Sequence, residues 1–133
     1  RALKPGGRLV IMDPYVSALS GVVYRYLHEE GLDFDCDPLD ETRPVCGNAA
    51  FDSNQAVATI MFWRNPDAFS REFPGLRLIR KERLALLSYP LSGGFSGRSL
   101  LPAPLLGALA AAEDRMDFFA PLAAFRTLVV LEK

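Results

Sequence analysis

Histidine is almost missing from this sequence. His28 is the only one, and two cysteines ten residues apart, Cys36 and Cys46, complete a short supply of nitrogen and sulfur ligands. Three such side chains are too few for a structural zinc site, which takes four. Free thiols in a reducing compartment are the expected state of the pair, with a Cys36–Cys46 disulfide as the alternative. Neither charge is in excess: 15 Lys and Arg stand against 16 Asp and Glu, a formal net charge of −1. No basic field therefore directs the chain to nucleic acid or to an anionic membrane. No apolar run approaches the ~20 residues that a membrane-spanning helix needs, and no signal peptide precedes the first apolar stretch. A cytoplasmic protein acting on a small molecule is what these absences leave.

Two common catalytic motifs are missing as well. Gly94-Phe95-Ser96-Gly97 lacks the G-x-S-x-G spacing of a hydrolase nucleophile elbow, and the single histidine precedes the serine instead of following it. No G-x-x-x-x-G-K-S/T run exists, so there is no nucleotide P-loop.

What is present is a half-apolar chain of 133 residues, enough to bury the core of one domain. The first fourteen residues, R-A-L-K-P-G-G-R-L-V-I-M-D-P, organise the rest. Arg1, Leu3 and Lys4 suit the last turn of a helix, Pro5 stops it, and Gly6-Gly7 turns the backbone. Leu9 to Met12 is a short continuous apolar run, as expected of a strand covered on both faces. Asp13 ends it at the carboxyl edge, where open α/β sheets keep their ligands.

These residues resemble the helix, turn and fifth strand of a class I S-adenosylmethionine-dependent methyltransferase, and Ala120 to Lys133, A-P-L-A-A-F-R-T-L-V-V-L-E-K, is similar to the closing strand of that fold. The resemblance implies an α/β fold with a Rossmann-like methyltransferase sheet, of which residues 1–133 form the C-terminal half. Its strands would resemble the family's fifth, sixth and antiparallel seventh, the last lying between the other two. It implies methyl transfer to a small-molecule acceptor, with S-adenosylmethionine bound mainly by a missing N-terminal half. The family's glycine-rich turn and acidic residue for that cofactor are not in this sequence, so no cofactor-binding residue is assigned. Asp13, Tyr15, Tyr24, Asn54, Gln55, Tyr89 and Arg98 are the candidate acceptor-lining residues, with Asp13 or His28 as proton acceptor. No metal ligand is assigned. The expected partner is the missing half, or a second copy pairing with the open strand edge. The rivals are a partner-dependent binding domain without catalysis and half of a nicotinamide-dependent Rossmann reductase.

Between these ends, Val16, Leu19, Val23, Tyr26 and Leu27 recur at helical spacing, with Asp13 or Ser17 as cap, Pro14 in the first turn and Gly31 as stop. Tyr24, Arg25 and His28 fall on the other side, in core, on the surface or at a cleft. Residues 31–53 form an irregular acidic insertion. Its Asp33, Asp35, Asp37, Asp40 and Glu41 lack the glycine hinge and terminal glutamate of an EF-hand, which favours a solvated loop over a calcium site. Asn54 and Gln55, which cap a turn or grip a polar substrate, lead into a helical turn passing to extended chain. Asn65-Pro66 starts a helix with Phe69 and Phe73 inward, and Pro74-Gly75 stops it. Leu76 to Tyr89 is an edge strand whose Arg77, Arg80, Lys81, Glu82 and Arg83 guard against pairing, with a phosphate site as the alternative. Pro90 to Pro104, with Gly93, Gly94 and Gly97 and the polar Ser92, Ser96, Arg98 and Ser99, is a flexible crossover or a substrate loop. A helix through Leu105, Leu109, Ala112 and Met116 follows, with the Phe118 and Phe119 rings expected in the core.

Overall fold

The computed structural model describes residues 3–27, 31–40, 54–94, 97–113 and 115–133. His28, Glu41, Cys46, Phe95 and Ser96 lie outside the described residues, and with them the expectations placed on those positions. The fold is α/β: three strands, β1 (Arg8–Pro14), β2 (Arg77–Leu84) and β3 (Arg126–Glu132), form one sheet in the order β1-β3-β2. β3 is antiparallel to both neighbours, pairing Val10 with Val130 on one side and Lys81 with Val129 on the other. β1 and β2 are therefore parallel to each other and never touch.

Alternation along the strands gives the sheet two unequal faces. Thr127, Val129 and Leu131 of β3 are buried, and with Ile11 and Leu78 they meet Ala58, Phe62 and Phe69 from the segment joining β1 to β2. That segment comprises α1 (Ala18–Leu27), the short turn α2 (Val57–Thr59), a π-helix (Ile60–Arg64) and α3 (Pro66–Glu72). The opposite face carries Val10 and Met12, 62% and 64% exposed, and a charged row in which Arg8 and Arg77 both bond Glu132. Among the described residues the run Leu9 to Met12 is thus covered on one face only, not on both.

Local chemistry corrects several other expectations. Leu3 to Gly7 is a turn closed by Gly7 N–H on the Lys4 carbonyl, with Gly6 at φ +74°. At α1 the cap is Ser17, not Asp13: Ser20 N–H donates to Ser17 Oγ and Ser17 N–H to Ser20 Oγ, a reciprocal capping box. Pro14 closes β1 instead of opening the helix. The inward face of α1 runs through Ser17, Ser20 and Tyr24, whereas Tyr26 is 75% exposed, so the apolar stripe is rotated from the expected one. Residues 60–64 stay helical instead of extending, because an i to i+5 bond from Asn65 N–H to the Ile60 carbonyl keeps Phe62 turned to the sheet. Phe118, in the 3-10 turn Asp117–Phe119, is 84% exposed and Phe119 is 47% exposed; neither is core. Cys36 is disulfide-bonded, so the free thiol expected there is not found.

After β2 come α4 (Ser88–Leu91), α5 (Ala103–Glu113) and α6 (Ala120–Ala123). Glu113, buried at the end of α5, accepts hydrogen bonds from the backbone of Leu86, Leu87 and Ser88 and from Ser88 Oγ. One carboxylate thereby fastens the exit of β2 and the start of α4. Among the described residues no helix is long and apolar enough to cross a membrane.

Candidate functional site

The functional candidates gather where β1 and β2 end and β3 begins, the carboxyl edge expected from the position of Asp13. Register sets the site's first row: Asp13, Thr127 and Arg83 lie side by side on the helix-covered face. Thr127 Oγ1 donates to the Glu82 carbonyl at 2.8 Å and accepts Trp63 Nε1–H at 3.0 Å, so the indole is pinned over β2. The turn that fixes Trp63 is the π-helix, and Lys81 Nζ donates to its Phe62 carbonyl at 2.8 Å.

Around the pinned indole the side chains stack. The Arg83 guanidinium lies 3.7 Å from the Trp63 ring centre and 5.1 Å from that of Tyr15, and Lys81 Nζ lies 4.4 Å above Trp63. Tyr15 and Trp63 meet edge to face at 5.3 Å. Trp63, Lys81, Glu82, Arg83, Asp117 and Ala120 border an open cleft of about 400 Å³. Burial of the Lys81 ammonium, and then the neighbouring Arg83 charge, lower its pKa from lysine's ordinary value.

A second group lies at the same sheet end. Tyr24 Oη donates to the Phe125 carbonyl at 2.6 Å while its ring packs edge to face on Phe125. Burial raises its pKa far above that of a free phenol, opposed by Arg126 and reinforced by Tyr89 and Asp13. The Arg126 guanidinium covers the Tyr89 ring at 4.3 Å and donates to its hydroxyl, which in turn donates to the Gly94 carbonyl at 3.0 Å. A Cβ on Gly94 would stand 2.6 Å from that ring, and one on Gly93, at φ +90°, would stand 2.5 Å from the Arg98 backbone. The glycine pair is there so that the loop can close over Tyr89.

Of the residues expected to line an acceptor pocket, Asp13, Tyr15, Tyr24 and Tyr89 come to one end of the sheet. Tyr24 is 2% exposed and serves the core as a bridge to β3, not as a pocket wall. Asn54 is a clamp: it exchanges two hydrogen bonds with the Asp33 backbone and accepts a third from Ala56 N–H, holding the 31–40 loop to α2. Gln55 is buried in the same junction, its N–H on the Gly31 carbonyl. Arg98 is exposed on the loop after α4. Asn54, Gln55 and Arg98 are absent from the residues bordering the Trp63 cleft. Among the described residues no three His, Cys, Asp or Glu side chains converge as a metal site.

Sequence reasoning missed Trp63, Thr127, Arg126 and Glu113. Lys81 and Arg83 carried a usable signal, since two positions apart in a strand they must share a face. Trp63 carried none, because its face depends on the π-turn. No protein-family model, no curated protein and no solved structure matches this chain.

Proposed function

We propose that this chain is the C-terminal half of a class I S-adenosylmethionine-dependent methyltransferase domain, supplying the side that binds a small-molecule acceptor and inactive alone. The observation that carries the reading is the strand order. A sheet of three strands joined in sequence would ordinarily run β1-β2-β3. Here the last strand is inserted antiparallel between two parallel ones, the order that the resemblance at Ala2 to Pro14 and at Ala120 to Lys133 implies. A second support is the outer edge of β1, which no described strand pairs, with exposed Val10 and Met12 beside it; this suits a further parallel strand and a covering helix.

S-adenosylmethionine would supply the methyl group from its sulfonium. In this reading its binding falls mainly to the missing N-terminal half. The part of this chain is to bind and orient the acceptor at the edge that carries Asp13, Tyr15 and the Trp63 cleft.

The test is to express the chain joined to whatever the upstream reading frame encodes and to measure S-adenosylhomocysteine binding by calorimetry. Binding by the extended protein, with none by the 133-residue chain, is expected. An extended protein that binds no S-adenosylhomocysteine overturns the reading and leaves the partner-dependent binding domain and the nicotinamide-dependent reductase half.

A further inference from the structure

We infer that the cleft beside Trp63 is an anion-binding site, in which Arg83 and Lys81 take the carboxylate or phosphate of a small molecule while Trp63 and Ala120 wall its apolar part. Arg83 is short of hydrogen-bond acceptors among the described residues. Its guanidinium stacks on Trp63 and faces Tyr15, and its Nε is buried with no hydrogen-bond partner. Arginine has five N–H donors in a fork that matches an oxyanion. Among the described residues none of the recorded hydrogen bonds or ion pairs involves Arg83, whereas its strand neighbours are engaged: Arg80 is bidentate to Glu82, and Arg77 bonds Glu132.

Lys81 makes the omission more costly. Two cations on one indole repel each other, and among the described residues Lys81 has only the neutral Phe62 carbonyl as acceptor. An oxyanion between them would relieve the repulsion and give the guanidinium the acceptor it lacks. The acids nearby do not already fill that role. Glu82 points to Arg80 on the other face, Asp13 lies across β3, about 10 Å or two strand spacings away, and Asp117 borders the cleft without an ion pair to either cation. The cleft volume of about 400 Å³ suits a small molecule. If the methyl-transfer reading holds, on which this clause alone rests, the anion belongs to the acceptor.

The chain's single tryptophan is Trp63 itself, so its fluorescence reports on this cleft alone. The experiment titrates the folded 133-residue chain with benzoate, phenyl phosphate and uncharged benzamide. Saturable change with benzoate or phenyl phosphate and none with benzamide is expected, the tighter of the two naming the oxyanion. Arg83→Gln should weaken that binding about tenfold or more, and Arg80→Gln should leave it unchanged. Should Arg83→Gln fail to fold, Asp117→Asn decides, with severalfold tighter binding expected once a competing carboxylate is gone. Equal response to benzamide, equal loss in Arg80→Gln, an Arg83→Gln protein that folds and binds as before, or no tightening in Asp117→Asn overturns the site. No step needs S-adenosylmethionine or turnover, so failure here and failure of the methyltransferase reading are separately visible.

Discussion

Two single side chains hold joints that the rest of the fold depends on. Tyr24 ties α1 to the entry of β3 through its hydroxyl on the Phe125 carbonyl, and its pKa is raised by burial. An unfolded tyrosine loses its proton near pH 10, about the ordinary value. The folded one holds its proton longer, so above that pH the unfolded state binds fewer protons and stability falls as pH rises; below it the group is silent. The urea midpoint should therefore fall as pH rises above about 10, and Tyr24→Phe, at a cost of about 1 kcal/mol at neutral pH, should reduce that drop. Glu113 is the other joint. Glu113→Ala leaves three backbone N–H groups and the Ser88 hydroxyl without their acceptor, and a loss of about 3 kcal/mol is expected. Glu113→Gln keeps one acceptor oxygen and should lose less in the same denaturation measurement.

At the scale of elements, α5 and the loop before it make opposite demands on glycine. Gly107 lies within α5 with open space where a Cβ would go, so Gly107→Ala should stabilise by up to about 1 kcal/mol. Gly93→Ala meets the Arg98 backbone at a positive φ and should cost about 1–3 kcal/mol, seen as a lower Tm beside a higher one for Gly107→Ala. The same contrast explains what the sequence made legible. Gly6-Gly7 before Leu9, Asn65-Pro66 and the apolar run toward Glu132 are local signals, and an element forms at each of them. The rotated face of α1 was not local, because it is Ser20 and Tyr24 bonding to Tyr15 and Phe125 that turn it inward. Nor was the π-turn, which one Asn65 hydrogen bond sets, nor the outward Phe118, whose aromatic character says nothing about the turn that carries it. At the candidate site, Asp13 and Tyr15 were legible from the end of a strand. Trp63 and Arg126 were not, since their neighbours come from elements distant in the chain.

For the molecule as a whole, the sheet is finished on one edge only in part. β2 ends its side with Arg77, Arg80 and a shift in register between Leu78 and Arg80, devices that discourage further pairing. β1 offers its outer edge with Leu9, Val10 and Met12 exposed beside it and only Arg8 as a charge before Asp13. Concentration-dependent association by sedimentation equilibrium is expected, and Val10→Lys should weaken it without lowering Tm. A wild-type chain that stays monomeric at high concentration contradicts this account of the edge.

The strand order also dictates a timetable. Every hydrogen bond in the sheet involves β3, because β1 and β2 are held apart by it. On the ribosome, where chains emerge N-terminus first at about 5–20 residues per second, β1 and β2 are both made and waiting before their shared partner exists. The pairing among these three strands waits until Arg126–Glu132 has emerged, so until then the apolar faces of α1, the π-turn and α3 lack the β3 surface they cover.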